Sequence, residues 1–183
     1  MISAVQLFNN QLQKKVKDWV NQVSMDQESG SLVNKLKMSA ALKLFTQFVG
    51  KSIPSAARHG FKVIDYKPGY VKAFMPLKSN KNHFNAIYAG ALFTVAELPG
   101  GITSILRFDE RFFPILKDLK IEFLKMAKTD VTVEFELSEK QLKQLEKDAI
   151  NDGRCAVVLE GEIKDMSGDV VAKSYATYQV RLR

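Results

Sequence analysis

The sequence predicts an α+β fold in which an antiparallel sheet of about six strands packs on one apolar helix, behind a helical N-terminal extension. Three observations predict it. Before Gly60 the apolar residues recur every three or four positions, and beyond it they recur mostly at every second position. Between the first two strands and the rest lies HFNAIYAGALFTVAELPGG, from His83 to Gly101, which is apolar around nearly its whole helical circumference. Neither an apolar helix nor a one-sided sheet can hide its surface alone, so the helix is expected to fold against a face of the sheet.

From Val5 to Val23, the residues Phe8, Leu12, Val16, Trp19, Val20 and Val23 form the apolar stripe of an amphipathic helix. Its lysines would suit a membrane surface, but the stripe is thin and packing on the body of the protein is expected instead. SMDQESGS breaks the pattern, and a second helix reads from about Asn34 to Val49, with Met38, Leu42, Phe45 and Phe48 on one face and with Gly50 and Pro54 ending it. FKVIDY and YVKAFMPL flank the turn KPG as a hairpin in which Val71, Ala73, Met75 and Leu77 share a face. After the central helix come LKIEFL, with Leu119, Ile121 and Phe123 inward, and VTVEFEL, with Val131, Val133, Phe135 and Leu137 inward. A short helix follows in SEKQLKQLEKDAIND, capped by Ser138 and edged by Leu142, Leu145 and Ile150. Two long strands, CAVVLEGEIKD and VVAKSYATYQVRLR, close the chain around a turn at Ser167, Gly168 and Asp169. The expected organisation is an extension over residues 1–58 and one domain over 59–183, with no internal repeat.

Composition narrows the function classes. With 183 residues, 46% hydrophobic and 26% charged, the chain can bury a real core. No apolar run is long enough to span a bilayer and the N-terminus lacks a secretory pattern, so a cytoplasmic location is expected. A single cysteine, Cys155, excludes an internal disulfide, and with His59 and His83 isolated from each other no metal or bound cofactor is expected. The formal charge of +7 is dispersed along the chain, which argues against nucleic acid and fits either a solvated surface or a phosphate-bearing small molecule.

One carboxylate, Glu97, interrupts the apolar helix. A carboxylate in that setting must be paired, protonated or retained for chemistry, and desolvation raises its pKa toward the range of a useful general base. The competing reading is that Pro99, Gly100 and Gly101 loosen the helix and release Glu97 to solvent. The helix opens on Tyr88, Ala89, Gly90 and Ala91, small residues that would let a carbonyl oxygen or anion approach the unpaired first-turn N–H groups. Glu97 lies about 12 Å along the axis from Ala89, so one copy of the chain cannot easily bring both groups to one atom, and a second chain is needed.

NHFNAIYAGALFTVAE, placed after two strands and before the rest of an antiparallel sheet, resembles the signature of the hotdog-fold acyl-CoA thioesterases, the phenylacetyl-CoA type in particular. In that family an Asn precedes a His-Gly-Gly helix opening, and an Asp or Glu follows; Asn82, Tyr88, Ala89, Gly90 and Glu97 fall on those positions. LKIEFLKMA, with Lys125 and Ala127, resembles the family's next strand. The helix after VTVEFELS and the N-terminal extension resemble a hotdog branch known as a domain of unknown function. The resemblance covers roughly residues 60 to 183. It implies a sheet wrapped around the central helix, a homodimer or dimer of dimers joined through sheet edges, and paired interface sites with no cofactor beyond the coenzyme A of an acyl-CoA substrate. The N–H of Ala89 or Gly90 would polarise the thioester carbonyl, Glu97 of the other chain would activate water or attack, and Asn82 would orient water or thioester.

Tyr88, Phe93, Thr94 and Lys125 are the expected substrate contacts. Arg107 and Arg111 could join Lys125 at the coenzyme's phosphates, and Leu92, Phe93, Phe112 and Phe113 would set tunnel depth. Three positions depart from the pattern: Tyr88 stands for the His, Leu116 for a Ser or Thr, and Met126 for a Pro. They bear on activity more than on fold. Two functional readings stand, a thioesterase and an acyl or acyl-CoA binding protein that does not cleave. A dehydratase would need a catalytic His, and neither His59 nor His83 falls on a family catalytic position.

Overall fold

The computed structural model describes residues 4–25, 32–107 and 111–182, with the side chains of residues 4–13 and 104–107 outside the description. The expectations for Phe8, Leu12, most of SMDQESGS and the Arg107 side chain therefore lie outside the described residues.

Three helices open the chain: α1 (Ala4–Met25), α2 (Leu32–Ser52) and α3 (Pro54–His59). The stripe predicted on α1 is buried at Val20 and Val23, and the α2 face buries Met38, Leu42 and Phe45. Gly50 does not end α2. The helix runs on to Ser52, and a Cβ at Gly50 would lie 3.1 Å from Cβ of Ala57, so the glycine is where α3 folds back against α2. Pro54 then opens α3 at a position where its missing N–H costs nothing.

The hairpin follows as β1 (Lys62–Lys67) and β2 (Tyr70–Met75), joined by Pro68 and Gly69. Gly69 has φ of 81°, and any side chain there would meet the Leu137 carbonyl oxygen at 2.4 Å. Next come α4 (Ala89–Arg107), β3 (Phe112–Phe123), β4 (Val131–Glu136), α5 (Glu139–Asp152), β5 (Arg154–Asp165) and β6 (Val170–Leu182). Among the described residues the strands form one sheet, in the order β1-β2-β4-β5-β6-β3, with every pairing antiparallel.

Alternation puts one set of side chains on α4. Val71, Ala73 and Met75 of β2, Val131, Val133 and Phe135 of β4, and Ala172, Ser174, Ala176, Tyr178 and Val180 of β6 are all buried. A bulge between Val63 and Asp65 shifts the phase of β1, so that Val63 and Tyr66 are both buried and Ile64 is not. One apolar cluster runs from Val20 and Phe45 of the N-terminal helices through the sheet to Val95 and Leu98 of α4.

Two inward expectations fail. Phe123 is 50% exposed, because β3 is an edge strand with no further strand beside it among the described residues. Ile150 is 53% exposed while Ala149 is fully buried, since seven residues after Leu142 returns to the same helix face and eight overshoots it. β3 also begins at Phe112, seven residues earlier than its alternation suggested.

The two sheet edges differ. At β1 the N-terminal helices close the edge: the Val63 N–H donates to Thr46 Oγ1 at 3.0 Å, and the Tyr66 hydroxyl donates to Asn21 Oδ1 at 2.8 Å. At β3, residues 112–123 pair with β6 on one side and with no strand among the described residues on the other. No described helix is long and apolar enough to cross a membrane.

α5 starts from a capping box, in which Ser138 Oγ accepts from the Gln141 N–H and the Gln141 side chain accepts from the Ser138 N–H. Ser138→Ala is expected to cost about 1 kcal/mol of stability. Urea unfolding, with an unchanged denaturant slope, measures it.

Candidate active site

α4 is held at its start by a loop in which Asn80 and Asn82 bond to nearby backbone. Asn82 Oδ1 accepts from the Phe84 N–H at 2.9 Å and the Ala86 N–H at 3.2 Å, and Asn85 turns the chain with φ of 56°. The Ile87 N–H donates to the Ala127 carbonyl, which ties the loop to the segment after β3.

Asn80 is the anchor that sequence reasoning missed. Its buried amide donates to the carbonyls of His59 and Pro76, both at 2.7 Å, while its own backbone carbonyl accepts from the Tyr88 N–H. Nδ1 of His59 is hydrogen-bonded to Asn80 Oδ1, which gives that histidine a structural task. Only the polar run KSNKN marked this place, and it reads like any loop.

Tyr88 serves as the N-cap through its carbonyl, which accepts from the N–H groups of Ala91 and Leu92. The N–H groups of Ala89 and Gly90 have no acceptor among the described residues. They carry the partial positive charge of the helix start, and Ala89 is exposed. The Tyr88 ring folds over this turn: a Cβ at Gly90 would lie 2.5 Å from it.

Although α4 is apolar around nearly its whole circumference, the sheet of one chain covers only part of it. Ala91, Leu92, Val95, Ala96, Leu98 and Ile102 are buried against the sheet, whereas Ala89, Gly90, Phe93, Thr94, Glu97 and Gly101 form a strip with partial or full exposure. Their spacing of three to four residues puts them on one helix face. Phe93 pairs with Phe123 of β3 across 6.4 Å between ring centroids, and Leu124 and Met126, which follow β3 in sequence, are exposed as well. The strip thus continues onto the open edge of the sheet. The Thr94 hydroxyl donates back to the Gly90 carbonyl at 3.0 Å.

Glu97 lies on that strip, half-buried, and its carboxyl has no hydrogen-bond or ion-pair partner among the described residues. Burial alone raises its pKa above the ordinary 4.5. The helix does not break behind it: α4 continues through Pro99, Gly100 and Gly101 to Arg107. A second residue that sequence reasoning missed lies directly beneath. The hydroxyl of buried Tyr178, on β6, donates to the backbone carbonyl of Glu97. The available signal was a tyrosine at an inward strand position, whose polar tip must find a partner. Leu116 is its cross-strand neighbour on β3.

Two of the cationic candidates flank β3 in sequence, Arg111 before it and Lys125 after it. Lys125 is exposed and paired with Asp169 at 3.0 Å, linking the end of β3 to the β5–β6 turn. Arg111 is exposed, with its guanidinium over the Phe112 ring. A groove of about 610 Å³ opens between α2 and β1, lined by Met38, Leu42, Val63, Lys35, Lys43 and Lys62, but it shares no residue with the strip and stands at the opposite edge of the sheet from β3. Among the described residues no three His, Cys, Asp or Glu side chains gather as a metal site.

With this geometry the comparisons can be placed. Residues 41–180 match the family model described as "Domain of unknown function (DUF4442)". The chain belongs to that family. A Pseudomonas aeruginosa protein of unknown function, named a probable thioesterase, is similar at 40% identity, with 77% of this chain and 95% of that one covered and a TM-score of 0.73. A thioesterase from Haemophilus influenzae is 16% identical over 77% of this chain and 90% of its own, with a TM-score of 0.62, which supports the fold alone. A Chlorobaculum tepidum protein of unknown function is 15% identical over 77% and 94%, with a TM-score of 0.69. No curated protein matches the chain. The architecture is the hotdog fold, a sheet around a central helix, with helices added at its N-terminal side.

Because burial holds the folded-state pKa of Glu97 above its unfolded value, the folded protein binds the extra proton. Its contribution to stability is complete below the unfolded value and is lost as pH rises through the raised folded value. Glu97→Gln is expected to abolish that loss, so the variant gains on wild type as pH climbs from about 4 to 8; urea melts across this range read it. Asn80→Ala removes the buried amide that donates to the His59 and Pro76 carbonyls and is expected to cost about 1–3 kcal/mol, measured in the same way.

Proposed function

We propose that this protein hydrolyses acyl-CoA thioesters at a site shared between two copies of the chain. The observation that carries this reading is the desolvated carboxyl of Glu97, without a partner among the described residues and set on the face of α4 that the sheet leaves open. The acceptor-free N–H groups of Ala89 and Gly90 lie on the same helix about 12 Å away, too far to serve one carbonyl together with Glu97 of the same copy. A second copy meeting the open β3 edge, with Phe93, Phe123, Leu124 and Met126 as its apolar contact, would bring the helix start of one chain to Glu97 of the other. The similarity to a Pseudomonas aeruginosa protein named a probable thioesterase supports the reaction class.

In this mechanism the thioester carbonyl oxygen lies at the Ala89 and Gly90 N–H groups. The Glu97 carboxylate takes a proton from water, whose oxygen attacks the carbonyl carbon. The negative charge that develops on the carbonyl oxygen is met by the helix start, a contact whose loss typically costs about 10²- to 10³-fold. Collapse of the tetrahedral intermediate breaks the C–S bond, and the leaving coenzyme A sulfur recovers the proton from Glu97, giving a free acid and a thiol. Direct attack by Glu97, followed by hydrolysis of the resulting anhydride, uses the same groups.

A second reading, an acyl-CoA binding protein without turnover, is favoured by one feature: Asn82 Oδ1 and the Thr94 hydroxyl are both engaged in their own backbone and leave few polar groups for water. Release of free thiol from a panel of acyl-CoAs separates the two. Wild type is expected to turn over at least one chain-length class, with Glu97→Gln slower by about 10²- to 10⁴-fold. Binding without thiol release above the variant would leave the binding reading.

A further inference from the structure

We propose that Tyr178 is the positioning residue for Glu97, its buried hydroxyl stitched into the α4 backbone at the turn that carries the carboxyl. The inference deepens the reading of Glu97 as the reacting group and rests on it. Because the Glu97 carboxyl has no partner of its own among the described residues, only the helix backbone sets where it stands. That backbone is weak here. Pro99 has no N–H to give the Val95 carbonyl, and Gly100 and Gly101 are poor helix formers.

Tyr178 reinforces the same turn from β6. Its O–H donates to the Glu97 carbonyl, and its oxygen lies within reach of the Gly101 N–H, the group that a regular α-helix aims at that carbonyl. One phenol thus joins both ends of the turn. The ring reaches this place only because residue 100 is glycine: a Cβ there would stand 2.2 Å from Cε2 of Tyr178 and 2.9 Å from Cδ1 of Leu159. At Gly101 nothing lies within 4 Å of such a Cβ, so close packing alone does not explain the glycine pair. ELPGG on α4 and Tyr178 on β6 fit as one device, a flexible turn clamped from outside. Tyr178 is also the titratable group whose pKa the charge of Glu97 raises, with burial as the larger cause, so the phenol remains a donor across the neutral range.

The test uses the full chain in its native assembly, with carbon-13-labelled glutamate followed by NMR to titrate Glu97 directly. Tyr178→Phe keeps the ring against Gly100 and removes only the hydroxyl. The Glu97 midpoint is expected to fall toward the ordinary carboxylate value by about 0.5 unit or more as the freed turn lets the carboxyl reach water. Thioester turnover is expected to drop about tenfold in kcat with KM within about twofold, the pattern of a misplaced reacting group. An unchanged midpoint with a lowered melting temperature would make Tyr178 a strut and overturn the proposal.

If wild type cleaves no thioester, the catalytic reading fails while the midpoint comparison still decides the positioning claim. If Tyr178→Phe does not fold, hydrogen exchange in wild type decides instead. A protected Tyr178 hydroxyl and Gly101 amide support the clamp, and a hydroxyl exchanging as fast as an exposed tyrosine refutes it.

Discussion

A helix that is apolar on nearly every side, packed against a sheet that can reach only part of it, is the constraint on which this structure depends. The sheet buries Ala91, Leu92, Val95, Ala96, Leu98 and Ile102 of α4. The strip left over, from Ala89 to Gly101, holds small residues, one aromatic ring and one carboxyl. Extending the sheet around that strip would require another strand beyond β3, and none is present among the described residues.

The asymmetry of the two sheet edges follows from the same economy of cover. A free strand edge invites pairing, and this chain closes one edge with its own helices through Thr46 and Asn21 while leaving β3 open. The apolar ends of the open edge, Phe123 and Leu124, adjoin the uncovered strip of α4 through the contact of Phe123 with Phe93. Strip and edge therefore form one surface. The proposed pairing of two chains would cover it in a single step, and would also further dry the Glu97 carboxyl.

In the proposed reading, Glu97 is placed without being neutralised. An ion-pair partner would steady its side chain but lower its basicity, whereas the proposed clamp on the backbone would steady the turn without pairing the carboxyl. That logic accounts for residues that look unhelpful in a helix. Gly90 admits the Tyr88 ring, Gly100 admits Tyr178, and the fold keeps α4 continuous through Pro99 where local preference alone would break it.

The amino-acid sequence by itself determined the class, the order of the elements after Gly60, the capping of α5 by Ser138 and the identity of Glu97 as the unusual carboxyl. Those features are local: periods of two and 3.6, cap residues and one charge in an apolar run are all visible within a few neighbouring residues. Only the tertiary structure decided which face of α4 stays open, that Gly50 lies inside a helix, that Phe123 and Ile150 turn outward, and that Asn80 and Tyr178 bond to the backbone at Tyr88 and Glu97. Each of these depends on groups far apart in the chain, up to the 81 positions between Tyr178 and Glu97, and no local pattern encodes which distant surface will arrive to cover or to clamp.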